Sequence, residues 1–450
     1  MSESVPVSEL GAAGVIAVPI RTPVTLLAPG LRARAMAALP LASAPLVLTA
    51  LLAVTAFSAL PAVRTVTEGP AIEAALRRPL LHVALAPVSS VLDAMSLLSV
   101  RQHLALLATV LVLHLLVRVV RGLTRRRPWR VALRRECLWA AGVFLLVVGV
   151  YGYGLLVPRP MAALTLADPS LLAVDFHSHT DASHDGRPGF TAESNREWHR
   201  AAGFDVSYIS DHRTQRAVLE ARALNPGRAG DGTMLLPAIE VVCRREHLVF
   251  LGPIGEGKSN GCAPGGTGAD PLSVAFFTMP GNPARLPDLP PLVGAEVINA
   301  APRSFDEPPD EWSMLRAHAE SHDLALVASS NNHGWGRTAA AWSVMRVPGW
   351  RAMNHDQLDL ALRGALLAHR NSAVSVVERV RPVWARPSAA GLAMTVPTLG
   401  WHVVRTLSAE ERLVWAAWAW LAWAAGMLRQ SIRRQRLDQR PVAVARSRAA

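Results

Sequence analysis

Residues 175 to 186 read Asp-Phe-His-Ser-His-Thr-Asp-Ala-Ser-His-Asp-Gly, which puts three histidines and three aspartates within twelve positions. They follow the apolar run Leu171-Leu172-Ala173-Val174, which is short and bounded by Pro169 and Gly186. Such a run predicts a buried β-strand. Positions two apart on a strand face the same way, so His177 and His179 leave its end pointing into one space. Two neutral imidazoles in one place suit a divalent metal. A polar turn with chance histidines is the alternative, and it weakens as the same pattern recurs along the chain.

The pattern recurs at the ends of other expected strands. A helix over Phe190 to Ala202, with Thr191 as N-cap and Glu193 in its first turn, is ended by Gly203. Phe204 to Ile209 is then a second buried strand, ending at Ser210-Asp211-His212. Arg216 to Leu224 is helical, and Met234 to Ile239 is a strand leading to Glu240. His247 to Leu251, Val274 to Phe277, Ala295 to Ile298 and Leu324 to Val327 are further strands, with a helix over Glu311 to His322 between the last two. Strands alternating with helices argue for an α/β fold with a mostly parallel sheet, open or closed as a barrel. Chemistry in such folds gathers at the carboxyl ends of strands. There the chain places His177 and His179, Asp211 and His212, Glu240 with His247, and Asn331 to His333.

The surroundings of this segment are apolar and basic. The chain has 450 residues and a net charge of +12, carried by arginine; Lys258 is its one lysine. Between Arg159 and Arg405 acids and bases nearly cancel, and the excess lies in Arg118 to Arg135 and Arg429 to Arg448. This layout argues against nucleic acid as a partner, which would want the basic face on the folded domain, and it suits membrane flanks. A span needs roughly 20 apolar residues. Leu41 to Val63, His103 to Val120 and Leu138 to Val157 approach that length, and Leu413 to Leu428 carries four tryptophans suited to an interface. Leu80 to Val100, interrupted by His82, Asp93 and serines, reads as amphipathic or interfacial.

The expected organisation is therefore a cytoplasmic tail (1–40), a membrane region with about three helices (41–157), an α/β domain (158–410), a last transmembrane helix (411–428) and a basic cytoplasmic tail (429–450). The arginine-rich loop after Val120 stays in the cytoplasm, which puts the domain outside, on a multi-pass protein of the cell membrane. Cys137, Cys243 and Cys262 form no framework; the last two can pair outside the cell, but their spacing does not require it.

The motifs resemble those of the polymerase-and-histidinol-phosphatase (PHP) family of metal-dependent phosphoesterases. Asp175-Phe-His177-Ser-His179-Thr180 with Ser183-His-Asp185-Gly186 is similar to its first motif, and Ile209-Ser210-Asp211-His212 to its second. Pro237-Ala-Ile-Glu240 followed by His247 resembles the third, and Ala328-Ser-Ser-Asn331-Asn-His333-Gly334 the last. The resemblance covers about 160 residues and excludes the apolar segments. It implies a distorted seven-stranded β/α barrel flanked by the transmembrane helices, holding one to three divalent ions (zinc, manganese or iron). It also implies a phosphoester substrate. The implied metal ligands are His177, His179, Asp185, His212, Glu240, His247, Asn331 and His333, with His212, Glu240 and His333 at the chemistry. His333 either ligates or protonates the leaving group, and His184 is an alternative to Asp185. Asp211 either orients His212 or merely ends its strand. Arg213 and Arg337 lie beside two motifs and are candidates for the substrate phosphate.

Two positions depart from the family pattern. Met279 stands where a histidine is usual, and Asn331 where an aspartate is usual. An amide is a weaker ligand and brings no charge. A domain that binds metal without turnover, tethered as a sensor, is therefore the rival expectation. Gly252 to Ser259 also matches a phosphate-loop expression, but Asn260-Gly-Cys-Ala-Pro264 cannot open the helix that such a loop requires.

Overall fold

A computed structural model of the chain describes residues 29–67, 69–123, 129–212, 214–254, 262, 272–278, 281–306, 309–382 and 389–438. Arg213, Met279, Lys258 and both tails beyond these limits lie outside the described residues. The chain forms two compact units, residues 1–48 with 420–450, and residues 49–419. The first is helical where described, with Trp420 and Trp423 edge to face at 5.6 Å. The second holds every strand and the candidate site.

The elements in chain order are α1 (Pro29–Ala56), β1 (Val63–Thr65), β2 (Ala74–Arg77), α2 (Leu80–Ala84), α3 (Ala86–Ser96), α4 (Val100–Leu123) and α5 (Trp129–Leu156). Then come β3 (Ala163–Leu166), β4 (Leu171–Ser178), α6 (Ala192–Ala202), β5 (Val206–Ile209), α7 (Arg216–Ala221), β6 (Met234–Cys243), β7 (Glu246–Leu251) and β8 (Val274–Phe277). The remainder is β9 (Gly294–Asn299), α8 (Pro309–Ser321), β10 (Ala325–Ser329), β11 (Ala341–Arg346), α9 (His355–His369), β12 (Val374–Arg379), α10 (Ala389–Ala393), α11 (Thr395–Thr406) and α12 (Ala409–Asp438).

Ten strands form one sheet in the order β1-β12-β11-β4-β5-β6-β7-β8-β9-β10, and β2 pairs with β3 apart from it. The sheet curls back on itself. Asn331 N donates to His177 O and His179 N to Asn332 O, each at 2.9 Å, so the chain after β10 meets the end of β4. Ser343 Oγ on β11 accepts from Ala328 N at 2.8 Å and donates to Ala328 O at 2.9 Å. The enclosed core is built on β4, which is buried on both faces. Phe176 stacks on Tyr208 at 5.6 Å and tilts against Phe276 at 5.2 Å.

A barrel-like α/β sheet was expected and is found, but it has ten strands and mixed direction. β4-β5, β5-β6, β8-β9 and β9-β10 are parallel. β6-β7, β7-β8, β11-β4, β11-β12 and β1-β12 are antiparallel. The β6-β7 hairpin turns through Arg244 and Arg245, both with positive φ (50° and 76°), a tight reversal that glycine did not advertise.

The apolar segments differ from expectation. Among the described residues two helices are long and apolar enough to cross a membrane, Val100–Val120 and Arg134–Leu156, and neither is covered by other described residues. The run from Leu41 breaks after Ala56, because the chain turns at Phe57 to Pro61 to deliver β1 to the sheet, pairing Val63 with Arg379. Leu80 to Val100 folds into two short helices that bury His82, Ser89 and Asp93. The tryptophan-rich stretch lies within α12, whose first turn carries Glu410 and Glu411. Strands ahead of α4 and behind α5 share one unit, so these two helices interrupt the α/β domain. His103 Nδ1 and Tyr151 Oη meet at 2.9 Å near one end of the pair, and Arg118 is ion-paired with Glu136 near the other.

Candidate metal centre

β4 delivers His177 and His179 to one point, as strand alternation requires. Their Nε2 atoms lie 3.0 Å apart. The loop that follows is compact. Asp211, at the end of β5, accepts from Thr180 N at 2.6 Å and from Thr180 Oγ1 at 2.7 Å. Gly186 is packed so closely that a Cβ would lie 1.9 Å from Thr180 O, which excludes any side chain there. This fold presents Asp185, whose Oδ2 lies 3.3 Å from His212 Nε2 and 3.1 Å from His333 Nε2. Asp211 thus orients the loop after β4, and no bond between it and the His212 ring is present.

Glu240 sits at the centre. Its Oε2 lies 3.2 Å from both His177 Nε2 and His179 Nε2 and 3.4 Å from His212 Nδ1, and its Oε1 lies 2.6 Å from His247 Nδ1. The result is three interlocking groups: His179, Asp185, His212 and His333; His177, His179 and Glu240; His212, Glu240 and His247. Within each, the donor atoms lie within 4.8 Å of one another. All of these side chains but the fully buried His179 line one cleft of about 750 Å³, together with Asn331.

The donor set fits a cation. Two imidazole Nε2 atoms facing each other beside one carboxylate oxygen leave lone pairs with too few protons to share. His179 Nδ1 and Asn331 Oδ1 are buried and have no hydrogen-bond partner among the described residues. A buried polar atom without a partner costs roughly 1–3 kcal/mol, so such atoms mark a missing ligand. Asn331 also sits in the left-handed region (φ 42°), which asparagine tolerates, and this turns its side chain into the cleft.

The charges are strongly coupled. Burial alone lowers the pKa of His177, but Glu296 and Glu240 outweigh it and raise it well above 6.5. Burial likewise raises Glu240, yet His177, His179 and His247 hold it well below the usual carboxylate range. Asp185 is lifted by burial and pulled further down by the Ser183 hydroxyl, His333 and His212. Burial lowers both His179 and His212, keeping their rings neutral and able to ligate.

One residue of the site was not anticipated. Glu296 is a lone acid within the apolar strand β9 and is 1% exposed. Its Oε1 lies 2.7 Å from His177 Nδ1 and accepts from Ser329 Oγ at 2.6 Å, and its Oε2 accepts from Asn299 Nδ2 at 2.9 Å. A carboxylate on the far nitrogen fixes the tautomer and raises the basicity of a ligating histidine. A buried charge inside an otherwise apolar strand was the available clue. Asp175 does comparable work behind the strand, with His199 Nε2 at 2.7 Å and Ser330 N donating at 3.0 Å.

Arg337 does not line the cleft. Its Nε reaches toward Arg159 O at 3.5 Å, on the side of the sheet where Trp198 Nε1 donates to Gly336 O. The arginines that line the cleft are Arg101, Arg245 and Arg303. His184 lies tilted beside His212 at 4.9 Å without joining a donor group, so Asp185 is the member the geometry selects. Cys243 and Cys262 form a disulfide, a pairing that their spacing left open.

No family model matches the chain, and no curated protein matches it. Solved structures similar to it include PsfC from Pseudomonas syringae PB-5123 (13% identity, TM-score 0.30), covering 52% of this chain and 98% of that one. Another is a protein from Bifidobacterium adolescentis provisionally assigned as a metal-dependent phosphoesterase (18% identity, TM-score 0.26; 42% and 95% covered). A third is Endonuclease Q, in complex with a 27-mer duplex bearing an abasic lesion (14% identity, TM-score 0.31; 43% and 57% covered). At these scores the functional reading rests on the chain's own side chains.

Proposed function

We propose that this chain is a membrane-anchored, metal-dependent phosphoesterase whose α/β domain faces away from the cytoplasm. The carrying observation is the convergence of His177, His179, His212, His247, His333, Asp185 and Glu240 into three donor groups that overlap pairwise through His179, His212 and Glu240. Divalent ions held there supply Lewis-acid polarisation of a phosphoryl oxygen and acidify water. The protein's part is positional. Glu240 reaches four imidazoles and bridges the groups. Glu296 holds the His177 ring with its Nε2 turned inward. His333 Nδ1 donates to Asn331 O at 2.9 Å, which turns Nε2 inward, 3.1 Å from Asp185 Oδ2.

The cleft lining favours a small or amphiphilic phosphoester over nucleic acid. Arg101, Arg245 and Arg303 are balanced by Glu246, Asp306 and Glu311, so among the described residues no basic track runs from the site. Two features support the orientation. The arginine-rich segment between α4 and α5 belongs in the cytoplasm by the positive-inside rule, leaving both flanks of the helix pair outside. The Cys243–Cys262 disulfide suits an oxidising compartment.

The test uses the full chain purified in detergent. Bound zinc, manganese and iron are measured, then p-nitrophenyl phosphate and bis-p-nitrophenyl phosphate are offered. Bound metal and turnover that both disappear in His177→Ala are expected. Protein that binds metal but hydrolyses neither ester would favour the tethered sensor, and metal-free protein would end both readings.

A further inference from the structure

The metal centre and the two membrane-length helices are joined without a spacer. Val100 N donates to Pro302 O at 3.4 Å, and Arg101 N donates to both carboxylate oxygens of Asp306 at 3.2 Å, so α4 starts on the loop after β9. Gly336 N donates to Leu155 O at 3.0 Å, so α5 ends on the loop that carries Asn331 and His333. The uncovered span begins at Val100, one residue before Arg101, which lines the cleft. Direct backbone hydrogen bonds at both connections hold the cleft close to a bilayer that receives α4 and α5.

The rim changes character over a short distance. Inside are the imidazoles and carboxylates; at the edge are Arg101 and Arg303, both exposed, which make no ion pair among the described residues. Beyond Arg101 the helix presents Leu104, Leu107 and Leu111 bare. On the other flank Trp335, between His333 and Gly336, is 48% exposed, a placement typical of aromatic side chains at a membrane interface. A polar pocket, a cationic edge and an apolar wall follow one another in the order of a phosphate head and a hydrocarbon tail.

We infer that the substrate is a phosphoester presented by the bilayer itself: a phosphate whose ester arm is a lipid, with the head in the metal centre and the chain along α4. Arg101 and Arg303 are the cations that receive its phosphate at the rim. This rests on the phosphoesterase reading and narrows it. For a phosphomonoester, the bond between phosphorus and the lipid oxygen breaks, a bond from phosphorus to the oxygen of water forms, and water's proton goes to the released lipid alcohol. No oxidant or reductant enters.

The experiment compares phosphatidic acid in phosphatidylcholine nanodiscs with glycerol 3-phosphate, its soluble counterpart, using the full chain. Phosphate release is expected to follow the mole fraction of phosphatidic acid at constant bulk concentration, with kcat/KM at least about tenfold above that for glycerol 3-phosphate. Losing one charge-assisted contact is worth about tenfold, so Arg101→Gln and Arg303→Gln should each lower the lipid value by about that factor and leave bound metal unchanged. The Arg101 backbone bond to Asp306 survives the substitution, so the helix start is kept. Equal or faster hydrolysis of the soluble ester, independent of mole fraction, would overturn the lipid assignment while the phosphoesterase reading stood. If metal is bound but neither ester turns over, that reading fails by itself, and the site is judged by native mass spectrometry. Phosphatidic acid retained over phosphatidylcholine, resistant to inorganic phosphate and lost in Arg101→Gln, keeps the lipid site; retention equal in both proteins rejects it.

Discussion

Glu296→Gln isolates what one buried charge does for the proposed metal centre. Glutamine keeps the shape and an oxygen for His177 Nδ1, 2.7 Å away, and for Ser329 Oγ at 2.6 Å. It removes the negative charge from the far side of the ring, and its amide faces Asn299 Nδ2, now donor against donor at a separation of 2.9 Å unless Asn299 turns. Replacing such a carboxylate typically lowers metal affinity 10–100-fold, which is about 1.4–2.8 kcal/mol. Because Glu296 is 1% exposed, solvent does not screen the loss. Competition with a chromogenic chelator, in detergent at pH 7.5, reads the affinity directly. His177→Ala, which deletes the donor itself, sets the larger limit. A Glu296→Gln protein that binds manganese and zinc as tightly as the parent, with a folded circular dichroism spectrum, would refute the argument that this carboxylate tunes His177.

Metal affinity should fall as pH is lowered, beginning above 6.5, because His177 must lose its proton to ligate and its pKa is raised by Glu296 and Glu240; a chelator titration from pH 8 to 5.5 checks this. Asp205, pushed up to about 6 by burial, costs stability once ionised: the penalty grows from about pH 4 to 6 and is complete above, at most about 3 kcal/mol. Asp205→Asn keeps an oxygen for Ala173 N and should raise Tm at pH 7.5 but not at pH 4. Asp93 is lifted by burial but held at about 2 by Arg379, Arg159 and His82, so its contribution is present above about pH 4 and is lost as pH falls through 2. Asp93→Asn leaves Arg159 buried and unpaired and should cost about 3–5 kcal/mol, read as a large drop in Tm at pH 7.5. Of three cysteines, a maleimide should label one per denatured chain before reduction and three afterwards, the single site being Cys137.

The first strand and its histidines were legible because burial on both faces and a two-residue alternation leave a plain mark, and the structure brings His177 and His179 together as that mark implied. The cap at Thr191 and the stop at Gly203 (φ 85°) were equally local. What stayed hidden depends on distant pairing. β1 is three residues long and has meaning only against β12, more than 300 residues away. β11 and β12 alternate weakly because both faces are buried. The apolar run from Leu41 resembled a span, yet its end serves the sheet. Arg337 was chosen for proximity in sequence, but it lies in the loop between β10 and β11, eight positions past the strand end, and its side chain turns to Arg159.

Asn331 and Met279 were the two departures that spoke against a working metal site. The argument against Asn331 was that an amide brings no charge. The structure answers with where the charge is kept. Asp185 and Glu240 face the cleft, and Glu296, invisible to motif reading, stands one ring behind His177. Three carboxylates around five imidazoles offset one divalent ion fully and a pair to within one charge, without a fourth at position 331. The Asn331 oxygen, buried and without a partner among the described residues, is then a neutral ligand in a site compensated to within one charge. If so, Asn331→Asp should tighten metal binding only modestly, since the three carboxylates already meet all but one charge of a pair. A gain of 100-fold or more would mean that the site is starved of charge and that the amide disables it.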